Sequence, residues 1–302
     1  AASDVYKRQI SNSTSTSIAG TYDFYFDVRS NTDVGVVRGF AGTSGGTLVD
    51  KAYVQFGGLS AGHQNFITKI YGVGGNQGGA QYGNPSDSVY YSTSMGNATF
   101  SIGMANPGSH TADDDKSPDV VVTNKPDLAA AVSVKAGAAD IAVAAVSHEA
   151  TDQTTLTTSN GYALLGKVGV EANGFGIIGF GGYANGATSY INAGAAVDAY
   201  DASGAANYDL LERYDDNNVT GTAAGLQATY KLGNMTLGVL YATAGLKNSD
   251  DVSAKNDQIN VWADYAVAKG LTITPEVLQT NVDVDGDKSS SNTFYVRIKR
   301  DF

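Results

Sequence analysis

From Ile18 to the last residue, apolar and polar side chains exchange places at every second position. In the terminal stretch "TFYVRIKRDF", Phe294, Val296 and Ile298 share one parity, while Tyr295, Arg297, Lys299 and Asp301 hold the other. Near the start, Tyr22, Phe24, Phe26 and Val28 alternate with Thr21, Asp23, Tyr25, Asp27 and Arg29. A period of two places the two sets on opposite faces of a β-strand. The pattern predicts strands at about 18–29, 32–42, 47–57, 59–64, 87–95, 98–105, 127–136, 140–149, 160–172, 175–183, 220–231, 235–244, 257–267, 271–282 and 292–302.

The connections follow a rule of their own. Short links such as "SNTD", Gly57-Gly58, Gly96-Asn97, Asn173-Gly174 and Gly233-Asn234 supply the positive φ angles of tight hairpins. Between them run longer polar segments, at about 65–86, 106–126, 150–159, 184–219, 245–256 and 283–291. Short turns at one end and long loops at the other describe an up-and-down meander, not a Greek key. The abundance of Gly (37) and scarcity of Pro (5) suit many strands joined by tight turns.

One set on most strands is Tyr, Phe, Val, Leu, Gly and Ala; the other is polar or charged. A transmembrane barrel has this organisation, with the apolar set toward lipid and the polar set toward a wet lumen. A soluble sandwich fits the pattern less well. Lipid leaves an open sheet edge unsatisfied, so such a barrel must close. The final strand is then required to pair up to its end, where a soluble domain would fray. Phe302 would join the aromatic interface girdle, with Arg300 reaching toward the headgroups.

The pattern yields about fifteen strands, whereas single-chain bacterial barrels use an even number. Taking the short-turn side as periplasmic, the segment 18–29 descends and requires an upward strand before it. Residues 1–17 do not supply one. "AASDVYKRQ" reads as an artefactual or disordered leader and is set aside from the fold, which leaves 18–302 as the barrel. The expectation is an all-β, antiparallel up-and-down barrel of the sixteen-stranded type with its native first strand missing. A gap or strained closure is expected between 18–29 and 292–302.

Composition excludes several functions. The net charge of −11 argues against a nucleic-acid partner. Cysteine is absent, which removes disulfides, thiol catalysis and Cys-ligated metals. His63, His110 and His148 form no metal motif, and no catalytic constellation stands out, so neither an enzyme nor a cofactor is expected. "GFGIIGFGG" at 174–182 lacks the Lys and Ser/Thr of a phosphate loop. "DDDK" at 113–116 and "ERYDDNN" at 212–218 read as solvated loop charge without EF-hand spacing, with divalent-ion bridging to lipopolysaccharide as the alternative. "YDLLERY" at 208–214 reads as a short helix in its loop.

Three stretches resemble the alphaproteobacterial, rhizobial-type general porins: "AYVQFGGLSAG" at 52–62, "PDLAAAVSVKAGAADIAVAAV" at 126–146, and "GLTITPEV" at 270–277 with the terminal "YVRIKRDF". The resemblance implies a trimeric outer-membrane barrel for passive diffusion of small hydrophilic solutes and ions. It also implies an inward-folded constriction loop at about 65–86. The terminal strand, with Phe294, Val296, Ile298 and Phe302, resembles the signal read by the outer-membrane assembly machinery. Where the family places an Arg before the inward loop, this chain has Ser60, and the loop carries Lys69, Gln77 and Gln81 without carboxylates. Charge selectivity therefore does not carry over.

By parity, the lumen-facing candidates are Asp23, Asp27, Arg29, Arg38, Lys51, Tyr53, Gln55, Glu276, Arg297 and Lys299, with Lys69 on the loop. Charges beside a narrow, low-dielectric passage focus the field on passing solutes. A substrate-specific channel, for example for sugars, would need aromatic tracks; the alternation leaves Tyr25, Tyr53, Tyr90 and Tyr295 dispersed. A non-channel barrel such as an adhesin would need long loops, and only 184–219 qualifies.

Overall fold

The computed structural model describes residues 24–33, 35–44, 47–74, 86–106, 121–122, 125–152, 158–191, 219–247, 253–284 and 286–301. Asp23, His110, Phe302, residues 1–17, both acidic loop segments, the helix expected at 208–214 and residues 75–85 of the expected constriction loop lie outside them.

The strands are β1 (Tyr25–Thr32), β2 (Gly35–Ser44), β3 (Thr47–Phe56), β4 (Leu59–Gln64), β5 (Ser86–Met95), β6 (Ala98–Ala105), β7 (Val121–Val122), β8 (Asp127–Ala136), β9 (Ala139–Asp152), β10 (Thr158–Ala172), β11 (Phe175–Asn185), β12 (Thr220–Leu232), β13 (Met235–Lys247), β14 (Ser253–Ala268), β15 (Leu271–Val284) and β16 (Asp287–Arg300). All except β7 follow one another in chain order in a single antiparallel sheet, and β7 pairs with the end of β9. This is the meander that the sequence predicts. Among the described residues no ladder joins β16 to β1.

The tight turns work as their residues dictate. Asn173 (φ 54°) and Gly174 (φ 80°) take the two left-handed positions of the β10–β11 hairpin. The first hairpin differs from expectation. Ser30, Asn31 and Thr32 of "SNTD" belong to β1, paired with Val37, Val36 and Gly35, and the turn begins only at Asp33. The Thr32 hydroxyl donates to the Gly35 carbonyl at 2.6 Å and secures that end. Polar β-branched and Asn side chains sit readily on an exposed strand, so turn composition misplaces the boundary. At the long-loop ends, β9 to β11 and β13 to β16 run two to five residues further than the apolar alternation, because backbone pairing continues where side chains turn polar. The two-residue β7 and a short 3-10 helix at Thr188–Ile191 are also absent from the sequence reading.

The sheet curls on itself. Residues 65–74, which leave β4, touch β11 and β12: Tyr71 packs on Phe180, and the Gly74 amide donates to Gln227 Oε1 at 2.6 Å. Six ladder steps (β4-β5-β6-β8-β9-β10-β11) separate β4 from β11, so only a barrel-like wall brings them together. Parity then separates two faces. Phe26, Val28, Ile102, Val143, Leu164, Leu226, Val261, Phe294 and Ile298 stand on the outer face, with Phe294 72% and Ile298 69% exposed. A nearly continuous belt of exposed large apolar side chains belongs against lipid. Most strands reach the ~9–11 residues that cross a bilayer when tilted, and β9, β10 and β12 to β16 exceed them.

Candidate functional site

On the inner face of β1 to β3 the register lays side chains in rows. Asp27, Phe40 and Tyr53 form one row; Arg29, Arg38 and Gln55 form the next. The Arg38 guanidinium reaches Asp27 with two nitrogens, at 2.9 and 3.0 Å, and gives a third to Gln55 Oε1 at 2.9 Å. Such bidentate pairing fixes the plane of the guanidinium. Arg29 donates to the same carboxylate at 3.1 Å. One acid thus holds two cations, and the group keeps an excess positive charge. The Arg29–Asp27 pair is well exposed and adds little to stability; its effect is on the local field.

The remaining candidates share this face. Lys51 is half-buried on β3, beyond Tyr53. Arg297 and Lys299 lie inward on β16, opposite Thr274 and Thr272, and Lys299 pairs with Asp301 at 3.0 Å. Glu276 points inward too, but it is 1% exposed and accepts from Asn260 Nδ2 at 2.7 Å. It cannot meet a solute directly: Trp262 of β14 and Tyr295 of β16 flank it in register. Its role is in the wall. Phe294, Val296 and Ile298 all face outward, as parity requires.

The opposite arc is different in kind. Over the middle of β8 to β13 the inner positions Ala129, Ala144, Leu165, Ala184, Ala223, Leu240 and Ala242 are small or apolar and buried, while Lys167 and Asp140 pair at 2.7 Å nearer the short turns. The buried positions are covered by Phe66, Tyr71 and Val73 from the segment after β4, and by Tyr190 and Ile191 of the 3-10 helix. The Tyr71 hydroxyl donates to the Gly181 carbonyl. The Tyr190 hydroxyl donates to Asp127, whose other oxygen meets His148 Nδ1 at 2.7 Å, and all three side chains are buried. Lys69 donates to Asn65 Oδ1 at 3.4 Å within the segment. Ser60, which stands where the resemblance places an Arg, is buried and donates to Gln64 Oε1 at 2.5 Å.

The inner space is therefore lopsided. Packed side chains fill the β8–β13 side, while charged and aromatic groups stay open on β1 to β3 and β16. Parity puts Arg29, Arg38 and Lys51 on one face, and the sequence reading did not single out Phe40, which has the parity of Arg38. It also missed the apolar arc, whose alanines carry no signal of being covered by distant loops. Among the described residues, no group of three or more metal-ligating side chains gathers; His63 faces outward and meets Asp87 at 2.9 Å.

A family model for the porin subfamily matches residues 2–300. The chain belongs to that family. No functionally curated protein matches it. This porin is similar in fold to the outer-membrane channel DcaP of Acinetobacter baumannii, with a TM-score of 0.75 at 14% identity over 93% of this chain and 84% of the other. It is also similar to OmpT of Vibrio cholerae in its trimer form, with a TM-score of 0.57, 12% identity, and coverage of 93% and 88%. The anion-selective porin of Comamonas acidovorans gives a TM-score of 0.56, 10% identity, and coverage of 94% and 88%. Family and fold make the porin an outer-membrane channel of the porin barrel type, and point away from an enzyme.

Proposed function

We propose that this porin passes small hydrophilic solutes and ions by diffusion along the charged arc of β1 to β3 and β16. The observation that carries the proposal is the lopsided interior. A segment packed onto β11 and β12 narrows the space from one side, and Arg29, Arg38 and Lys51 face it from the other. In this reading, residues 65–86 form the constriction. Arg29, Arg38, Lys51, Arg297 and Lys299, with Lys69 on the segment, set a field that favours anions; Asp27, Tyr53 and Gln55 orient the cations, and Glu276 braces the wall. Asp23 is placed with them by parity alone.

The same reading takes the channel as a homotrimer of alphaproteobacterial type, set among outer-membrane lipid and lipopolysaccharide. Its C-terminus is periplasmic, and the assembly machinery recognises Phe294, Val296, Ile298 and Phe302. Residues 18–302 form the barrel, and 1–17 lie outside it. The deciding experiment is planar-bilayer recording of the refolded chain in a KCl gradient. Ohmic open steps with a reversal potential favouring chloride are expected. A chain that forms no open channels in lipid overturns the diffusion mechanism.

A further inference from the structure

The inner wall carries three aromatic rings in contact. Tyr25 and Phe40 stack at 5.8 Å between centroids and 29° between planes; Phe40 and Tyr53 stack at 5.0 Å and 20°. The first contact is diagonal, since Tyr25 is registered with Gly42, not with Phe40. It exists because residue 42 has no side chain: a Cβ there would lie 2.6 Å from the Tyr25 ring. The ring leans across the glycine and remains 56% exposed.

A wall that only wets a pore gains nothing from this arrangement. Exposed aromatic surface is unfavourable in water, and Ser or Asn would line a wet wall without that cost. The rings also adjoin a row of fixed polar groups. The Arg38 guanidinium carbon lies 5.3 Å from the Phe40 centroid and 5.7 Å from that of Tyr53, with Asp27 and Gln55 held beside it. An aromatic surface bordered by donors and acceptors matches the chemistry of a pyranose. Phe40 is stacked between the other two rings, so the sugar's apolar, weakly positive C–H face meets the exposed Tyr25 ring that Phe40 and Tyr53 support. The sugar's ring of hydroxyls both donates and accepts. A small anion fits less well, because Asp27 already takes two of the three Arg38 contacts.

We propose that Tyr25, Phe40 and Tyr53, edged by Asp27, Arg38 and Gln55, form a carbohydrate-binding subsite on the channel wall. The inference rests on the reading of this face as channel lining, and it supplies a solute class. Binding is weak, since Tyr25 is open to water and Phe40 and Tyr53 are half-buried, and weak binding lets a solute enter and leave.

The test is planar-bilayer recording with maltotriose and maltohexaose added to one side, each channel's block being measured relative to its own sugar-free current. The wild type is expected to show saturable, sugar-dependent block. Phe40→Ala and Tyr53→Ala are expected to raise the half-blocking concentration about five- to tenfold, whereas Tyr53→Phe, which keeps the ring, retains the block. Heat-modifiable migration in detergent gels checks folding. If the alanine variants fail that check, Phe40→Leu and Tyr53→Leu keep apolar volume without the π face and are expected to weaken block in the same way. A wild-type current that falls only in proportion to bulk conductivity overturns the subsite, as does block that survives loss of the rings. Saturable block by benzoate without block by either sugar overturns the carbohydrate assignment. Absence of any channel refutes the diffusion reading instead, so the two failures are distinct.

Discussion

Tyr71 decides whether the segment after β4 stays on the far wall. Its side chain is 1% exposed, its ring lies 4.5 Å from that of Phe180, and its hydroxyl donates to Gly181. Tyr71→Phe removes only the hydroxyl and costs about 0.5–1.5 kcal/mol. Tyr71→Ala removes the ring as well, and large aromatic truncations cost about 3–5 kcal/mol. The segment is otherwise held by the bond from Gly74 to Gln227 and by the burial of Phe66 and Val73 on the same wall. Most of the loss therefore falls on the docked-to-released equilibrium, which shifts by a factor of about a hundred to a few thousand. The barrel ladder itself is untouched. Single-channel recording should show Tyr71→Ala with a larger open conductance, greater open-state noise and passage of larger neutral polymers, and Tyr71→Phe close to wild type. A folded Tyr71→Ala channel with wild-type conductance, noise and size cut-off would refute the idea that this contact holds the constriction.

Other expected outcomes follow from the same geometry. Arg38→Gln removes the bidentate partner of Asp27, so the reversal potential in a tenfold KCl gradient should move toward cations, and Lys51→Gln should move it the same way. Val296→Lys places a charge on the lipid face and should cost about 2–4 kcal/mol, read as a lower urea midpoint in vesicles; Thr293→Lys, on the inner face, should leave the midpoint in place. Asp127→Ala strands buried His148 and Tyr190, at about 1–3 kcal/mol for each. In that case the double variant Asp127→Ala/Tyr190→Phe should lose less than the sum of the two single changes, measured by the same urea titration.

Parity made much of this architecture legible. The outward set Phe294, Val296 and Ile298 and the inward set Arg297 and Lys299 follow from alternation, because one backbone period fixes every side chain on a strand. Hairpins with Asn-Gly or Gly-Asn were legible for the same local reason. The errors arise where a local signal meets a distant partner. Ser30 to Thr32 looked like a turn until the valines of β2 paired with them. Glu276 has the parity of a lumen residue, yet Asn260 satisfies it and its cross-strand neighbours cover it. Phe40 looked like one more apolar residue. Its place in a row depends on Tyr25 from one neighbouring strand and Tyr53 from the other, and on the missing side chain at Gly42. The alanines of β8 to β13 could be read as either face, since nothing local indicates that Tyr71 and Tyr190 return to cover them.

The contacts that narrow the passage also set an order of events. Tyr71 meets a partner 110 positions ahead of it in the chain, and Gly74 one 153 positions ahead. Every hairpin ladder, by contrast, joins neighbours in sequence. Docking must wait until β11 and β12 stand in the wall, while the turns can form at once. With this segment as the proposed constriction, the wall is built wide and narrowed late. A chain halted after its early hairpins carries the future constriction with nothing to hold it, and any passage it makes at that moment is unfiltered. On the proposed function, the step that sets selectivity is therefore among the last to complete.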